Sequence, residues 1–190
     1  TRAWELGVGG LIAAATPLVP AFAARPSFHD PAFRALLEKS TRLSALAAVG
    51  ATVATLLGAL VMSYVVLGHL SPELLIMNAA LTVGWSLNML VVPLYFAAQA
   101  FDIQRWNFAS HAIMAASVLF GAMFLVPVLG AAGLVSMIFA GLVASKLTIL
   151  FGNTSSLEAR NLVRNNRWLL SAAAAAIILL CGIAGVLISL

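Results

Sequence analysis

The order of apolar and polar residues along the chain predicts a series of membrane-spanning helices. A helix needs about 20 mostly apolar residues to cross the hydrocarbon core of a bilayer, so each apolar run of that length is a candidate span. Six such segments, A to F in chain order, are predicted at residues 6–24, 43–68, 74–100, 108–126, 131–151 and 168–190. The predicted fold class is therefore all-α: a polytopic transmembrane helix bundle of six spans that forms one domain over residues 1–190.

Segments D and E come from a single apolar stretch, which runs from Phe108 to Phe151. This stretch is too long for one span, and its middle carries Pro127, Gly130 and Gly133. Because proline and glycine interrupt regular helices, the sequence VPVLGAAG is predicted to form a tight turn between two helices.

Two longer polar segments connect the predicted spans. In the first, Asp30 followed by Pro31 is typical of a helix start, with the aspartate as the N-cap. The amphipathic helix predicted there, over residues 31–42, is expected to lie on the cytoplasmic membrane surface. Its apolar face would carry Phe33, Leu36 and Leu37. The second connection, residues 152–167, is polar and basic.

Lysine and arginine residues are concentrated on one side of the predicted membrane. If the six segments cross alternately, nine basic residues fall on or close to one side, and only Arg2 falls on the other. The nine are Arg25, Arg34, Lys39, Arg42, Arg105, Lys146, Arg160, Arg164 and Arg167. Because cytoplasmic loops carry an excess of lysine and arginine, this side is predicted to be cytoplasmic.

The composition excludes several classes of protein. Hydrophobic residues make up 63% of the 190-residue chain, and charged residues make up only 8%, against about 25% in an ordinary soluble domain. A soluble globular protein and a disordered chain are therefore excluded. The net charge of +4 does not indicate nucleic-acid binding, because the basic residues lie in short segments between apolar runs. The chain begins at Thr1 with apolar sequence near both ends, so we expect it to be a piece of a longer protein.

The side chains do not predict catalysis or metal binding. The acidic residues lie at span ends or in connections, and the three histidines are far apart. The sequence has no spacing typical of a catalytic triad or of a phosphate-binding glycine loop. We therefore expect a protein that is not an enzyme and that has no cofactor and no metal site.

A few residues are candidates for contact with a substrate. Lys146 lies inside segment E, where it either extends its ammonium group to the lipid head groups or faces a water-filled cavity and attracts an anionic ligand. Arg25 and Arg105, at the cytoplasmic ends of segments A and C, either set topology and meet lipid phosphate or bind a pyrophosphate. Pro17 and Pro20 are expected to bend segment A near its cytoplasmic end.

Segment C contains polar side chains within an apolar run. Asn78, Ser86 and Asn88 precede Pro93, which would kink the helix. The three side chains either hydrogen-bond to neighbouring helices or line a polar cavity.

Segment B carries small residues four positions apart, at Gly50, Ala54 and Gly58. This spacing is typical of a close helix–helix contact, but alanine and glycine are frequent enough throughout the chain to produce it by chance.

The order of these features resembles a known family of transporters. Segment A ends in ATPLVPAFA, segment C reads MNAALTVGWSLNMLVVPLYFAAQAFDIQRWNFASH into segment D, and segment D ends in FLVPVLGAAGLV. Over essentially the whole chain, this order resembles the C-terminal half of polysaccharide flippases, the O-antigen or lipopolysaccharide transporters. They belong to the superfamily that also contains peptidoglycan-precursor flippases and multidrug and toxin extrusion transporters.

The resemblance implies a two-lobe transporter that works by alternating access, of which this chain would be the C-terminal lobe. The N-terminal lobe would then be a partner missing from this chain, and segment A would line the central cavity. The implied activity is translocation of a polyprenyl-linked oligosaccharide across the bacterial inner (cytoplasmic) membrane for surface polysaccharide synthesis, with membrane lipids as further partners and no nucleic acid. The alternative is a cation-coupled multidrug antiporter of the same superfamily, which would predict carboxylates in mid-span. The six segments have none there.

Overall fold

A computed structural model describes residues 18–25 and 27–158, together with five single residues at 164, 171, 174, 175 and 178. Within these residues the chain is helical, with short turns and no strand, which confirms the predicted all-α class for this part of the molecule. The helices are α1 (Leu18–Ala23), α2 (Pro31–Leu67), α3 (Pro72–Ala100), α4 (Arg105–Phe120) and α5 (Val126–Ser156), with a π-helical turn at Gly121–Leu125 between the last two.

Three of the described helical stretches are long and apolar enough to cross a membrane. They are Pro31–Leu67, Pro72–Ala100 and the 52-residue stretch Arg105–Ser156 that comprises α4, the π turn and α5. Most of segments A and F lies outside the described residues. Six spans therefore remain a prediction.

The long third stretch folds back on itself at Gly130. This glycine has φ 60° and ψ −144°, a backbone conformation outside the helical region that glycine adopts readily. A side chain added at four glycines of the hairpin would meet the opposite arm: Gly121 meets Met137, Gly133 meets Leu125, Gly141 meets Ser117 and Gly152 meets Trp106. Between any two pairs, the residue number in the first arm falls by as much as the number in the second arm rises. This is the register of two antiparallel helices. The predicted turn within VPVLGAAG is confirmed.

Helix α2 differs from the sequence prediction, because its 37 residues form one continuous helix. The predicted surface helix 31–42 and segment B are not separated by any break. No glycine or proline occurs between Pro31 and Gly50, and the Thr41 hydroxyl donates to the Leu37 carbonyl within the helix, so nothing interrupts it. Its start is as predicted: the Asp30 side chain accepts a hydrogen bond from the Ala32 N–H at 2.9 Å.

The apolar face at the start of α2 packs against α1 and the end of α3. Phe33 and Leu37 are each 1% exposed, and the Phe33 ring lies edge-on to Phe22 and Phe101. The reason is that α1 and the end of α3 offer a protein surface that is as apolar as lipid and better packed.

The described helices pack in the order α2, α3, α5 and α4, and α1 packs on α3. Their main core lies where α2 and α4 begin and where α3 and α5 end. Besides Phe22, Phe33 and Leu37, it contains Val91, Leu94, Ala97, Ala98, Ile149 and Leu157. We call this end of the bundle the basic end, because it carries the exposed residues Arg25, Arg34, Lys39, Arg42 and Arg105.

Away from the basic end, the surface is apolar. Large exposed hydrophobic residues include Val61, Val65, Phe124 and Val128. Between residues 43 and 157 the sequence contains only four residues of the types Asp, Glu, Lys and Arg, and three of them are at helix ends or in turns. The fourth is Lys146, so an apolar band that suits a bilayer contains one formal charge.

Candidate functional site

The structure separates the predicted site residues rather than gathering them into one cluster. Pro17 lies outside the described residues. Pro20 is exposed on the short helix α1, and Arg25 is exposed just beyond its end. A bend of segment A at these prolines is therefore not described, and Arg25 belongs to the charged surface of the basic end.

Arg105 begins α4 and ties the two ends of the hairpin together. Its Nη2 donates a hydrogen bond to the Ser156 Oγ at 3.3 Å, and its guanidinium carbon lies 5.3 Å from the centre of the Trp106 ring. The hydrogen bond connects the start of α4 to the end of α5, whereas the ring contact lies within the first turn of α4. The side chain remains exposed, so it can also meet lipid phosphate.

Lys146 lies deeper in the helix than the sequence predicted. Helix α5 continues to Ser156, past the predicted end of segment E at residue 151, because Gly152, Asn153 and Thr154 remain helical and buried. The predicted connection 152–167 therefore starts within a helix. Lys146 precedes Gly152 by six residues, which corresponds to about 9 Å along the helix axis. Since Gly152 contacts Trp106 at the level of the basic end, the half-buried lysine lies inside the apolar band.

Asn88 lies at about the same height in the bundle as Lys146. Helices α3 and α5 run parallel, with Gly84 against Leu142 and the Leu94 carbonyl oxygen against Asn153. A residue of α3 therefore lies at the same height as the residue 58 or 59 positions later in the sequence, which belongs to α5. Leu94 of α3 and Asn153 of α5 are one such pair. Asn88 is half-buried, and no hydrogen bond joins it to Lys146 in the described part of the chain.

The structure also divides the three polar residues of segment C. The Ser86 and Thr52 hydroxyl oxygens are 2.6 Å apart and buried, so Ser86 forms an interhelical hydrogen bond with α2. Asn78 does not behave in this way, because its Nδ2 is buried without a hydrogen-bond partner. Among the described residues, the interhelical interpretation is confirmed for Ser86.

Sequence reasoning missed a buried amide pair between α3, α4 and α5. Asn153 is fully buried, and its Nδ2 lies 2.7 Å from the Asn107 Oδ1 and 3.3 Å from the Leu94 carbonyl oxygen. The Asn107 Nδ2 in turn donates to the Tyr95 carbonyl oxygen at 3.0 Å. The two amides therefore tie the hairpin to the part of α3 that follows Pro93.

Several polar atoms of the same hairpin region are buried without a partner. They are Ser110 Oγ, Trp106 Nε1, Thr154 Oγ1 and Asn153 Oδ1. Such groups are rare in folded proteins and each calls for an explanation, such as a bound water. The sequence signal for this region is the run Gly152-Asn153-Thr154, whose polar character predicts a connection between spans.

Among the described residues, no group of three histidine, cysteine, aspartate or glutamate side chains is placed to hold a metal ion. Comparison of the chain with profiles of protein families, with curated proteins and with solved structures finds no match.

Proposed function

We propose that this protein takes part in moving a lipid-linked oligosaccharide across the bacterial inner membrane. The polyprenyl tail would stay in the lipid while the polar head group crosses beside the helices. The proposal is supported by the order of segments that resembles polysaccharide flippases and by the apolar, all-helical character of the described chain. In this scheme the protein contributes shape and positive charge and makes or breaks no bond.

The observation that carries the proposal is the position of Lys146 within the apolar band. A lysine placed in mid-membrane costs about 2.5–3.5 kcal/mol on insertion scales, so such residues are rare and generally functional. Its stem reaches only ~6 Å toward the head groups, less than the distance along α5 to the level of Trp106. An ammonium group held at this depth suits the diphosphate of a polyprenyl-linked sugar.

We further propose that the chain works with a second lobe of similar size. The resemblance to two-lobe transporters supports this, as does the position of Lys146 on the flank of α5 away from α4. The contacts of α5 define this flank. Gly141 and Gly152 approach α4 on one side of the helix, and Leu142 approaches α3 on the adjoining side.

The experiment is a deletion of the encoding gene in its host, followed by complementation with variants. The deletion is expected to lower surface polysaccharide and to raise the amount of lipid-linked oligosaccharide in the cell. The wild-type chain should restore both. Lys146→Ala should restore translocation about 10-fold less well, the equivalent of one charge-assisted hydrogen bond of about 1.4 kcal/mol.

The matched control is Lys39→Ala, since Lys39 is an exposed lysine at the basic end. It should complement as well as the wild type at equal amounts of membrane-inserted protein. Normal surface polysaccharide in the deletion strain would contradict the proposal. If that strain instead became sensitive to cationic drugs and lost cation-driven drug efflux, the antiporter alternative would replace it.

A further inference from the structure

Tyr95, in the last turns of α3, is attached to α4 at two points. The Asn107 Nδ2 donates to its carbonyl oxygen at 3.0 Å, and its hydroxyl oxygen lies 3.4 Å from the His111 Nε2. Asn107 and His111 are four residues apart, so they lie on the same side of α4. The rings of Tyr95 and His111 also meet edge to face, with their centres 5.9 Å apart. We call these three residues the tyrosine clamp.

The tyrosine clamp holds the part of α3 that follows Pro93. Proline has no N–H, so one hydrogen bond of the helical ladder is missing at this position. The end of α3 beyond it therefore depends more on contacts with neighbouring helices. Of the two hydrogen bonds of the clamp, the one at His111 contains a group whose charge changes near neutral pH.

His111 lies inside the apolar band, at the height of the buried lysine. Ser117 of α4 packs on Gly141 of α5 in the antiparallel hairpin. His111 precedes Ser117 by six residues, so it is level with the residue six positions after Gly141, which is Leu147. Leu147 is the neighbour of Lys146 in the sequence.

Large apolar side chains lie between His111 and the basic end. Phe108, one turn nearer that end on α4, is 77% exposed, and Phe151 of α5 is 69% exposed. The level of Trp106 is five residues away, or about 7.5 Å along α4. A histidine side chain is shorter than this distance, so a charge on His111 cannot reach that level while α4 stays in place.

The groups of α3 and α4 around His111 offer no counter-ion. Among the described residues, no carboxylate forms an ion pair with His111. Its neighbour on α3 is the Tyr95 hydroxyl, and Asp102 lies beyond the end of that helix, where it accepts a hydrogen bond from Gln104. On α4 itself, the charged residue is Arg105, six positions earlier.

The other element packed on α4 adds positive charge rather than negative. Helix α5 has Lys146 at the height of His111, and Glu158 follows the end of α5, 3.8 Å from His29. The π turn that follows α4 has no titratable side chain. A proton on His111 would therefore place a second positive charge at one height in the apolar band, which is unfavourable.

We propose that His111 is a proton-binding site whose charge controls the tyrosine clamp. When the imidazole is neutral, its Nε2 accepts the hydrogen bond of the Tyr95 hydroxyl and the clamp is closed. When a proton from the aqueous phase binds, both ring nitrogens are donors, so the hydroxyl can no longer donate to Nε2. The start of α4 then moves toward the basic end, where the charge meets water, and separates from the end of α3. This inference goes beyond the proposed function and does not depend on it.

The test is a pH titration of the full chain in lipid nanodiscs with two readouts. Nuclear magnetic resonance of ¹³C-labelled histidine follows the charge of each imidazole, and a His→Gln variant of each of the three histidines assigns the signals. The fluorescence of Trp106, taken as the difference between the wild type and Trp106→Phe, follows the start of α4. Between about pH 8 and pH 5.5, the His111 signal should titrate, and the fluorescence should change in one step at the same pH.

Two variants of His111 should fix the clamp in opposite states. His111→Gln stays neutral, so its fluorescence should keep the wild-type value of high pH throughout the titration. His111→Lys stays charged, so its fluorescence should keep the value of low pH throughout. Tyr95→Phe lacks the hydroxyl at every pH, so it should lose most of the fluorescence step while the His111 signal still titrates.

The matched control is His29→Gln, which changes an exposed histidine at the basic end, beside Glu158. This variant should retain the full fluorescence step. Circular dichroism of each variant should retain the helical spectrum of the wild type.

The outcomes concern the clamp alone, because the titration uses the purified chain and no substrate. A His111 signal that does not titrate, or a fluorescence step that persists in His111→Gln, overturns the inference. A step that His29→Gln abolishes assigns the pH response to the contact with Glu158 and contradicts the clamp as well. None of these results alters the expected effect of deleting the gene on polysaccharide export, which tests the proposed function separately.

Discussion

Replacement of Gly152 by alanine tests the hairpin of α4 and α5 at its most tightly packed point. A Cβ at position 152 would overlap the Cγ and Cδ2 atoms of the Trp106 indole, well inside the 3.4–4 Å of an ordinary contact. The indole is rigid, and its Nε1 side is already buried, so the ring cannot move aside without displacing neighbours. The clash therefore requires the two arms to separate or the indole to change rotamer.

The expected cost follows from the balance of two effects. Overpacking of a well-packed site costs about 1–3 kcal/mol. Against this, alanine is favoured over glycine in a helix by roughly 0.5–1 kcal/mol. Gly152→Ala should therefore lower the free energy of unfolding by about 1–2 kcal/mol. Gly50→Ala, at a site with no atom within 4 Å of the added Cβ, should leave it unchanged or raise it slightly.

The assay is reversible unfolding in mixed micelles, followed by circular dichroism, on a double-mutant cycle that combines Gly152→Ala with Trp106→Leu. When the indole is absent, Gly152→Ala should lower the free energy of unfolding much less, which gives a coupling free energy of at least about 1 kcal/mol between positions 152 and 106. The reasoning is refuted if Gly152→Ala is as stable as Gly50→Ala, or if the two substitutions at positions 152 and 106 simply add.

Three further substitutions probe other parts of the fold by the same unfolding measurement. Asn153→Leu removes two side-chain hydrogen bonds and leaves the Asn107 Oδ1 unpaired, so it should destabilise by about 1–2 kcal/mol; equal stability would contradict the amide pair. Thr52→Val should lower the free energy of unfolding by about 0.6 kcal/mol, because it removes the hydrogen bond to Ser86; adding Ser86→Ala should lower it no further. Gly130→Ala forces a side chain into the φ 60° conformation and should cost about 1 kcal/mol or more, whereas wild-type stability would place the turn elsewhere.

The turn at Gly130 could be predicted because its cause is local. A largely apolar stretch of 44 residues, Phe108 to Phe151, is too long to cross a bilayer once, and Pro127 and Gly130 interrupt it near its middle. The N-cap at Asp30 is local in the same sense, since the aspartate and the following proline specify a helix start by themselves.

Two helices extend further than the sequence predicts, because polar residues do not by themselves end a helix. Helix α2 joins the charged segment 31–42 to an apolar span, and α5 continues through Gly152, Asn153 and Thr154. In α2 no glycine or proline occurs between Pro31 and Gly50. In α5 the packing of Gly152 on Trp106 and the hydrogen bonds of Asn153 outweigh the low helix propensity of these residues. The small-residue pattern of segment B, which the sequence leaves open between a packing face and chance, makes no close contact among the described residues: Gly50 and Gly58 have no described atom within 4 Å of an added Cβ.

The candidate site was only partly predictable, because it depends on register between distant segments. Lys146 and Asn88 were evident as polar residues in apolar runs. Their common height depends on the parallel contact of α3 with α5, which no local pattern encodes. The Asn107–Asn153 pair joins residues 46 positions apart, so the sequence offered two unrelated polar residues at predicted span ends.

The central claim is that this chain takes part in moving lipid-linked oligosaccharide from the inner to the outer face of the membrane. The most direct measurement is the fraction of that lipid accessible to a membrane-impermeant lectin in spheroplasts, with and without the encoding gene. The account predicts that this fraction falls at least about 10-fold on deletion, while total lipid-linked oligosaccharide rises, and that Lys39→Ala but not Lys146→Ala restores it. An accessible fraction that is the same in both strains would contradict it.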